Sequence, residues 1–196
     1  MEAKNIDQQV QTDLASFNND WYDPGAGTLK RIGWFLVNAF FIINPLNPSS
    51  GIRTGLLRMF GAKIGKGVVI KPGVNIKYPW FLEVGDHVWI GENAWIDNLA
   101  PVVIEDDVCL SQGAMLLTGN HDYKKPSFDL IVGGIHLEKG VWIGAKSLVG
   151  PGVRCYSHSI LSISSATSRD LEAYTIYRGN PAQPVKKRIM TEEVGS

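Results

Sequence analysis

Of the side chains in this 196-residue sequence that can move a proton or hold a metal, the four histidines and two cysteines are the most telling, and they are widely scattered. His121 stands in Leu117-Thr118-Gly119-Asn120-His121-Asp122-Tyr123, a segment that breaks an otherwise regular pattern. The pattern resumes at Ile135-His136-Leu137. Imidazole ordinarily titrates near ~6.5, so a histidine held where a loop leaves a rigid element can accept a proton from a hydroxyl at neutral pH. Asp122 or Asp129 could orient that ring; spacing does not choose between them, and His121 as a plain loop residue stays open. His136 closes the same loop and could line its pocket. His87 and His158 occupy corner sequences, Gly85-Asp86-His87-Val88 and Ser157-His158-Ser159, where solvent-facing polar residues are expected. A three-imidazole zinc site would have to draw on His87, His121 and His136, and no second histidine follows His121 at ligand spacing. No metal is therefore expected. Cys155 falls on a core-facing position and Cys109 precedes another, so both are expected as packing thiols rather than a disulfide, which suits a reducing cytoplasm.

The element that must position His121 is legible as a six-residue spacing of aliphatic side chains. Ile64, Ile70, Ile76 and Leu82 keep it, and Val84, Ile90, Ile96 and Val102 resume it after a two-residue shift. Ile104, Leu110 and Leu116 follow, then Leu137, Ile143, Val149, Cys155 and Leu161. Four residues after most of these comes a small or β-branched side chain, from Val68 and Val74 to Val153 and Ser159. A period of six matches neither the 3.6 of a helix nor a two-residue alternation. It matches an all-β solenoid in which short strands turn at regular corners and successive coils stack about 4.8 Å apart. The 21 glycines cluster at these corners, among them Gly65, Gly67, Gly73, Gly85, Gly91, Gly144, Gly150 and Gly152, and are expected to supply positive φ.

The organisation expected is a strap and helical cap over 1–62, a solenoid over 63–170 with an excursion at 117–136, and a C-terminal cap with a basic tail over 171–196. Residues 28–60 read as two helices separated by Asn44–Ser50, whose prolines stop the first. In the second, Arg53 and Arg58 are expected on the outside. Trp21, Tyr22 and Pro24 could dock as a strap. Nineteen Lys and Arg balance nineteen Asp and Glu, which removes any electrostatic case for nucleic acid. The start is polar and acidic, unlike a signal peptide. The twelve-residue apolar run Ile32–Ile43 falls short of the roughly 20 needed to span a bilayer. It reads as a packed helix or as an interfacial one, giving a cytoplasmic protein with peripheral membrane contact through residues 30–60.

Several segments together resemble the hexapeptide-repeat acyltransferases. They are the Ile-Gly-x-x-Val repeats, Gly119-Asn120-His121-Asp122, Val141-Trp142-Ile143-Gly144-Ala145, Val149-Gly150-Pro151-Gly152-Val153 and Gly179-Asn180-Pro181-Ala182. More narrowly the chain is similar, over about residues 60–190, to colanic-acid or exopolysaccharide biosynthesis acetyltransferases and to galactoside and maltose O-acetyltransferases. The resemblance implies a left-handed parallel β-helix and a homotrimer with sites between subunits. It also implies direct transfer from acetyl-CoA to a sugar hydroxyl, with His121 as general base. Asn98, with Asp97 and Asp122, would contact the acceptor, and Trp142 of a neighbouring subunit would line the cleft. Ala145, Ile163, Ser168, Arg169 and Lys186 would meet the coenzyme, with Arg178, Lys187 and Arg188 as further phosphate partners on charge alone. The chain departs from the family at Cys155-Tyr156 and Ser162-Ile163-Ser164-Ser165, where relatives keep an Ile-Gly corner and a Gly-Ala-Gly-Ser coil. Alternatives on the same scaffold are an amino-sugar N-acetyltransferase, a zinc carbonic anhydrase using the histidine trio above, and a non-catalytic solenoid.

Overall fold

The structure is a computed structural model that describes residues 10–191; the ends of the expected strap and basic tail, 1–9 and 192–196, lie outside the described residues. From Lys63 the chain makes strands of mostly two or three residues that wind into a parallel β-solenoid of about six turns. Each turn adds one strand to each of three sheets. The first sheet stacks Lys63–Ile64, Leu82–Val84, Val102–Ile104, Ile135–Leu137 and Arg154–Cys155. The second runs from Val69–Ile70 through Trp89–Ile90, Cys109–Leu110, Trp142–Ile143 and Ile160–Leu161 to the C-terminal hairpin. The third stacks Asn75–Ile76, Trp95–Asp97, Met115–Leu117, Leu148–Val149 and Ala166–Thr167.

Backbone bonds between coils set the register: Val69 N–H donates to Val88 C=O, Trp89 to Val108, Cys109 to Val141 and Trp142 to Ser159, at 2.9–3.0 Å. The register stacks like on like, Ile70, Ile90, Leu110, Ile143 and Leu161 on one face and Ile76, Ile96, Leu116 and Val149 on another. All nine are buried. The two-residue shift in the sequence has a simple cause. Strands of the first sheet place two residues in the core, so Leu82 and Val84, Val102 and Ile104, and Ile135 and Leu137 all point inward.

The glycines divide into two groups, and this corrects the expectation that corner glycines serve positive φ. Gly67, Gly73 and Gly152 do so. At equivalent corners the left-handed conformation falls to His87, Asn93, Asp107, Lys146, His158 and Ser164. Gly91 and Gly144 instead meet the next coil: a Cβ on Gly91 would lie 2.7 Å from Gln112 N, and one on Gly144 2.6 Å from Ile163 N. Those glycines are there because the backbones approach too closely for any side chain.

Two helices cap the first coil. The first, α1, spans Thr28–Val37 and loosens into a π-turn at Asn38–Ile42. The second, α2, spans Ser50–Met59, and Ser49 Oγ caps it by accepting from Ile52 N–H at 3.2 Å. Trp34 anchors α1: its ring is buried against Phe60 and its Nε1–H donates to Ile76 C=O at 2.9 Å. Arg58 lies outside as expected, but Arg53 is 0% exposed. Its guanidinium donates to the carbonyls of Ile42, Ile70 and Asn47, which would otherwise be unpaired where the π-turn, the loop and the first coil meet. Burial draws its pKa below the usual arginine value. At the far end an antiparallel hairpin, Thr175–Gly179 with Ala182–Lys187, covers the last coil.

The outer surfaces differ. The first face is polar and pinned by ion pairs, Lys63 with Glu83 at 2.6 Å and Arg154 with Glu138 at 2.7 Å. The outward rows of the other two are mainly apolar: Trp89, Cys109, Trp142 and the already covered Ile160 on the second face, and, after Asn75, Trp95, Met115, Leu148 and Ala166 on the third.

Two stability predictions follow from these contacts. Gly144→Ala should cost about 1–3 kcal/mol or more by forcing coils apart. Gly152→Ala, with open space around its Cβ, should cost only about 1–2 kcal/mol of left-handed strain. Denaturant unfolding of both variants checks the order. Glu138 staples two coils by accepting from Ser157 Oγ at 2.6 Å, Ser157 N at 2.8 Å and Arg154 Nε at 2.8 Å. These bonds, that from Ser157 Oγ foremost, hold its carboxyl below the usual glutamate value. A depressed folded pKa gives stability that is present above the unfolded pKa and lost as pH falls through the folded one. Glu138→Gln should therefore lower the Tm near neutrality, with the gap from the parent closing as pH falls through the carboxylate range.

Candidate active site

His121 lies on a β-hairpin that leaves the solenoid after the third-face strand Met115–Leu117. Gly119–His121 pairs antiparallel with Leu130–Val132, and Gly133 and Gly134 return the chain to the next coil. The root is fixed to the coil beneath it, because Thr118 Oγ1 is buried, donates to Asp97 C=O and accepts from Ala100 N–H, both at 3.0 Å. His121 is thus a side chain on a short rigid arm.

Its ring is oriented by neither aspartate. Asp122 accepts from Lys124 N–H, and Asp129 is paired with Lys125 at 2.8 Å, which with Ser127 holds its carboxyl below the usual range. The partner is the Phe128 carbonyl, 2.8 Å from His121 Nδ1. A carbonyl only accepts, so Nδ1 carries the proton and the neutral ring keeps its lone pair on Nε2, the form a general base needs. Phe128 reaches this geometry with φ 55°, a left-handed conformation costing an L-residue about 1–2 kcal/mol. The same residue stacks its ring on the imidazole, 4.8 Å between centroids and 15° between planes. Phe17 approaches the same ring at a tilt, with 6.0 Å between centroids and 60° between planes.

Phe17 belongs to the expected strap, of which Tyr22 and Pro24 are bonded to the solenoid while Trp21 is exposed. Asp13 N–H donates to Pro126 C=O on the hairpin and Tyr22 OH to Leu99 C=O at 2.7 Å. Trp80 Nε1–H donates to Pro24 C=O at 2.7 Å. Burial raises the Tyr22 phenol pKa, keeping it a donor. Phe17 and Phe128 escaped sequence reasoning. Nothing in an isolated phenylalanine signals a carbonyl aimed at a histidine.

Three clefts lie on this part of the molecule, and two of them reach the hairpin. One of about 550 Å³ lies between α1 and the third face and holds Asp97, Lys77, Arg31 and Asn38. Asp97 is paired there with Lys77 at 3.0 Å. Arg31 Nε and Asn38 Oδ1 are buried with no hydrogen-bond partner among the described residues. A second, of about 540 Å³, shares Arg31, Lys77 and Tyr78 with the first and reaches Phe17 and Leu130 beside the hairpin. A third, of about 270 Å³, lies on the opposite side of the hairpin and is lined by Asn120, Gly150, Pro151 and Ser168.

The other expected site residues fall in different places. Asn98 is buried, and its amide clamps the coil below, accepting from Tyr78 N–H at 2.9 Å and donating to Tyr78 C=O at 2.6 Å. It faces no cleft, a correction to its expected acceptor contact. Trp142 is half exposed on the second face, with Nε1–H donating to Ser111 Oγ at 2.9 Å, so one chain does not bring it to His121. Ala145 and Ile163 are stacked on the corner between the second and third faces, and Ser168 and Arg169 follow the third-face strand at its other edge. Lys186 and Arg178 are exposed on the C-terminal hairpin. Lys187 instead bonds Thr175 Oγ1, and Arg188 donates to the carbonyls of Gly140 and His158. His136 pairs with Glu105 at 2.7 Å on the first face and His87 occupies a corner, so His87, His121 and His136 do not converge. Among the described residues no three potential ligands form a metal-holding group. Cys155 is buried in the core and its thiol is pushed up by burial; Cys109 is raised by the same cause.

The chain is 33% identical over 180 residues to an Escherichia coli K12 protein named as colanic acid biosynthesis acetyltransferase WcaF, covering 92% of this chain and 99% of that one. A hexapeptide-repeat acetyltransferase of Vibrio cholerae, solved with acetyl coenzyme A, superposes with a TM-score of 0.76 at 22% identity, covering 86% of this chain and 93% of the other. A galactoside acetyltransferase solved with coenzyme A gives 0.72 at 20% identity, over 81% and 80%. No family model matches the chain.

The hydrogen bond to Phe128 makes a direct spectroscopic prediction. Long-range nitrogen–proton correlation spectra of the neutral His121 ring should show the Nδ1–H form, and an Nε2–H form would contradict the geometry.

Proposed function

This chain belongs to the hexapeptide-repeat acetyltransferases, and on that footing we propose that it moves an acetyl group from acetyl-CoA to a sugar hydroxyl during exopolysaccharide assembly, with His121 as general base. The observation that carries this reading is the fixed tautomer: Nδ1 is committed to Phe128, leaving Nε2 to take the acceptor proton. The acceptor oxygen attacks the thioester carbonyl as its proton passes to Nε2. Collapse then breaks the carbon–sulfur bond, and the leaving thiolate recovers that proton from the imidazolium. No acyl-enzyme is required.

The clefts suit the two substrates. Asp97, Arg31 and Asn38 line the cleft on the α1 side with a carboxylate, a guanidinium and an amide that suit a sugar. Asp122, next to His121 on the hairpin, would also meet the acceptor. On the opposite side, Ser168 lines a narrow groove past Asn120 that suits a pantetheine arm. Ala145 and Ile163 would line its continuation on a second chain, with Arg169 and Lys186 toward the coenzyme phosphates.

A second chain is needed because Trp142 and His121 lie on different faces. The apolar rows on the second and third faces, including Trp89 and Trp95, support a homotrimer in which neighbouring prisms cover them. The two unpaired thiols suit a cytoplasmic enzyme. Residues 30–60 would give it peripheral membrane contact; no helix among the described residues is long and apolar enough to cross a bilayer.

His121→Ala should lower kcat for acetyl transfer about 10²–10⁴-fold with little change in KM for acetyl-CoA. An unchanged kcat would end the general-base assignment. Trp142→Ala chains mixed and refolded with His121→Ala chains should regain activity that neither has alone, because some interfaces then pair an intact His121 with an intact Trp142.

A further inference from the structure

The N-terminal end of the solenoid carries a surface that the acyl-transfer chemistry does not use. Along α1 and its π-turn, Leu29, Phe35 and Phe40 are 87%, 69% and 64% exposed, and Ile32, Leu36 and Phe41 are also open to solvent. Only Trp34 and Ile42 of this stretch are buried, so the helix is held by a narrow stripe and leaves most of its apolar circumference free. Leu46, in the following loop, is 86% exposed. An apolar surface of this size is uncommon on a soluble monomer without a partner.

The charge around it identifies the partner. The protein is neutral overall, yet residues 24–82 contain eight of its nineteen Lys and Arg and none of its nineteen Asp and Glu. Those residues are the helical cap and the first coil. Among the described residues only Lys63 and Lys77 of the eight meet a carboxylate, Glu83 and Asp97, and Arg53 is buried on backbone carbonyls. Lys66 and Lys71 are exposed on the first coil, and Lys30 lies over the Trp80 ring at 4.8 Å. This segregation along the chain places the exposed aromatic and aliphatic side chains among cationic groups, with Glu83, Asp86 and Asp97 of the next coil offsetting Lys63, Lys66 and Lys77 in part. That combination is what an interfacial helix presents to anionic headgroups.

We propose that this end of the molecule docks on an anionic phospholipid bilayer, with Leu29, Leu36, Phe40 and Phe41 entering the headgroup boundary and Lys30, Lys66 and Lys71 meeting lipid phosphates. A second copy of the chain fits less well, because like ends would bring two predominantly cationic surfaces together. Ile32, Phe35 and Ile43 also line the cleft that holds Asp97, so docking brings the mouth of that cleft to the lipid surface. The proposal rests on the peripheral-contact reading above and gives it a partner and an orientation. It does not depend on His121.

The test is vesicle flotation of the full chain, with phosphatidylcholine vesicles against vesicles in which about a third of the lipid is phosphatidylglycerol. Binding should require the anionic lipid and fall as salt is raised. Phe40→Glu/Phe41→Glu should reduce the bound fraction about tenfold or more. Lys66→Gln/Lys71→Gln should weaken binding to anionic vesicles while leaving the melting temperature unchanged. Equal binding to both vesicle types, or binding to neither, overturns the proposal. So does a lower molar mass by light scattering in the Phe40/Phe41 variant, which would make the face a contact between copies. His121→Ala should float like the parent, and acetyl transfer to a soluble acceptor should survive Phe40→Glu/Phe41→Glu. Failure of the docking proposal and failure of the acyl-transfer reading are therefore separable.

Discussion

Parallel backbone hydrogen bonding between stacked coils is the constraint on which the rest of this molecule depends. Each coil donates to the next at the same points of its circumference, so whatever a corner or strand carries is repeated in position one strand spacing above. The core has little freedom. Its inward residues must match in size along each stack, and the close approach of coils at Gly91 and Gly144 excludes a side chain altogether. Charged and amide groups reinforce the same ladder: Glu138 and Asn98 each tie one coil to its neighbour. The result is a rod rigid enough to hold a reactive group on an excursion without a surrounding shell.

The histidine arm uses that rigidity in two ways. Its root is clamped to the lower coil by Thr118, and its tip is bent back so that the Phe128 carbonyl meets Nδ1. The strain at Phe128 is tolerated because the strap fastens the hairpin through Asp13 and Pro126, and because the aromatic ring covers the imidazole it orients. One residue therefore sets the tautomer and covers one face of the ring. A carbonyl does this without adding a negative charge beside the ring, which an aspartate would.

The surface divides as sharply as the core is uniform. The first face is a lattice of ion pairs, the second and third present apolar rows, and the capped end gathers cations around exposed aromatics. Three kinds of surface on one neutral chain fit the three neighbours proposed above: water, a sister prism and, at the capped end, an anionic lipid surface.

The six-residue spacing was enough to determine the solenoid and the membership of its core, because burial in so thin a prism demands an aliphatic side chain at fixed intervals. The two helices, the strap at Tyr22 and the singular position of His121 were legible for a similar local reason, since prolines, aromatics and a broken period are read along the chain. Which group orients His121 was not legible. Phe128 acts through its backbone carbonyl, and the carbonyl of any residue type looks the same in a sequence. Asn98 and Arg53 misled for the converse reason: polar types suggest a site or a surface, but both are spent on carbonyls or amides that only the folded packing leaves in need of a partner. The role of each corner glycine was likewise decided in three dimensions, where the distance to the neighbouring coil, and not the local turn, separates Gly144 from Gly152.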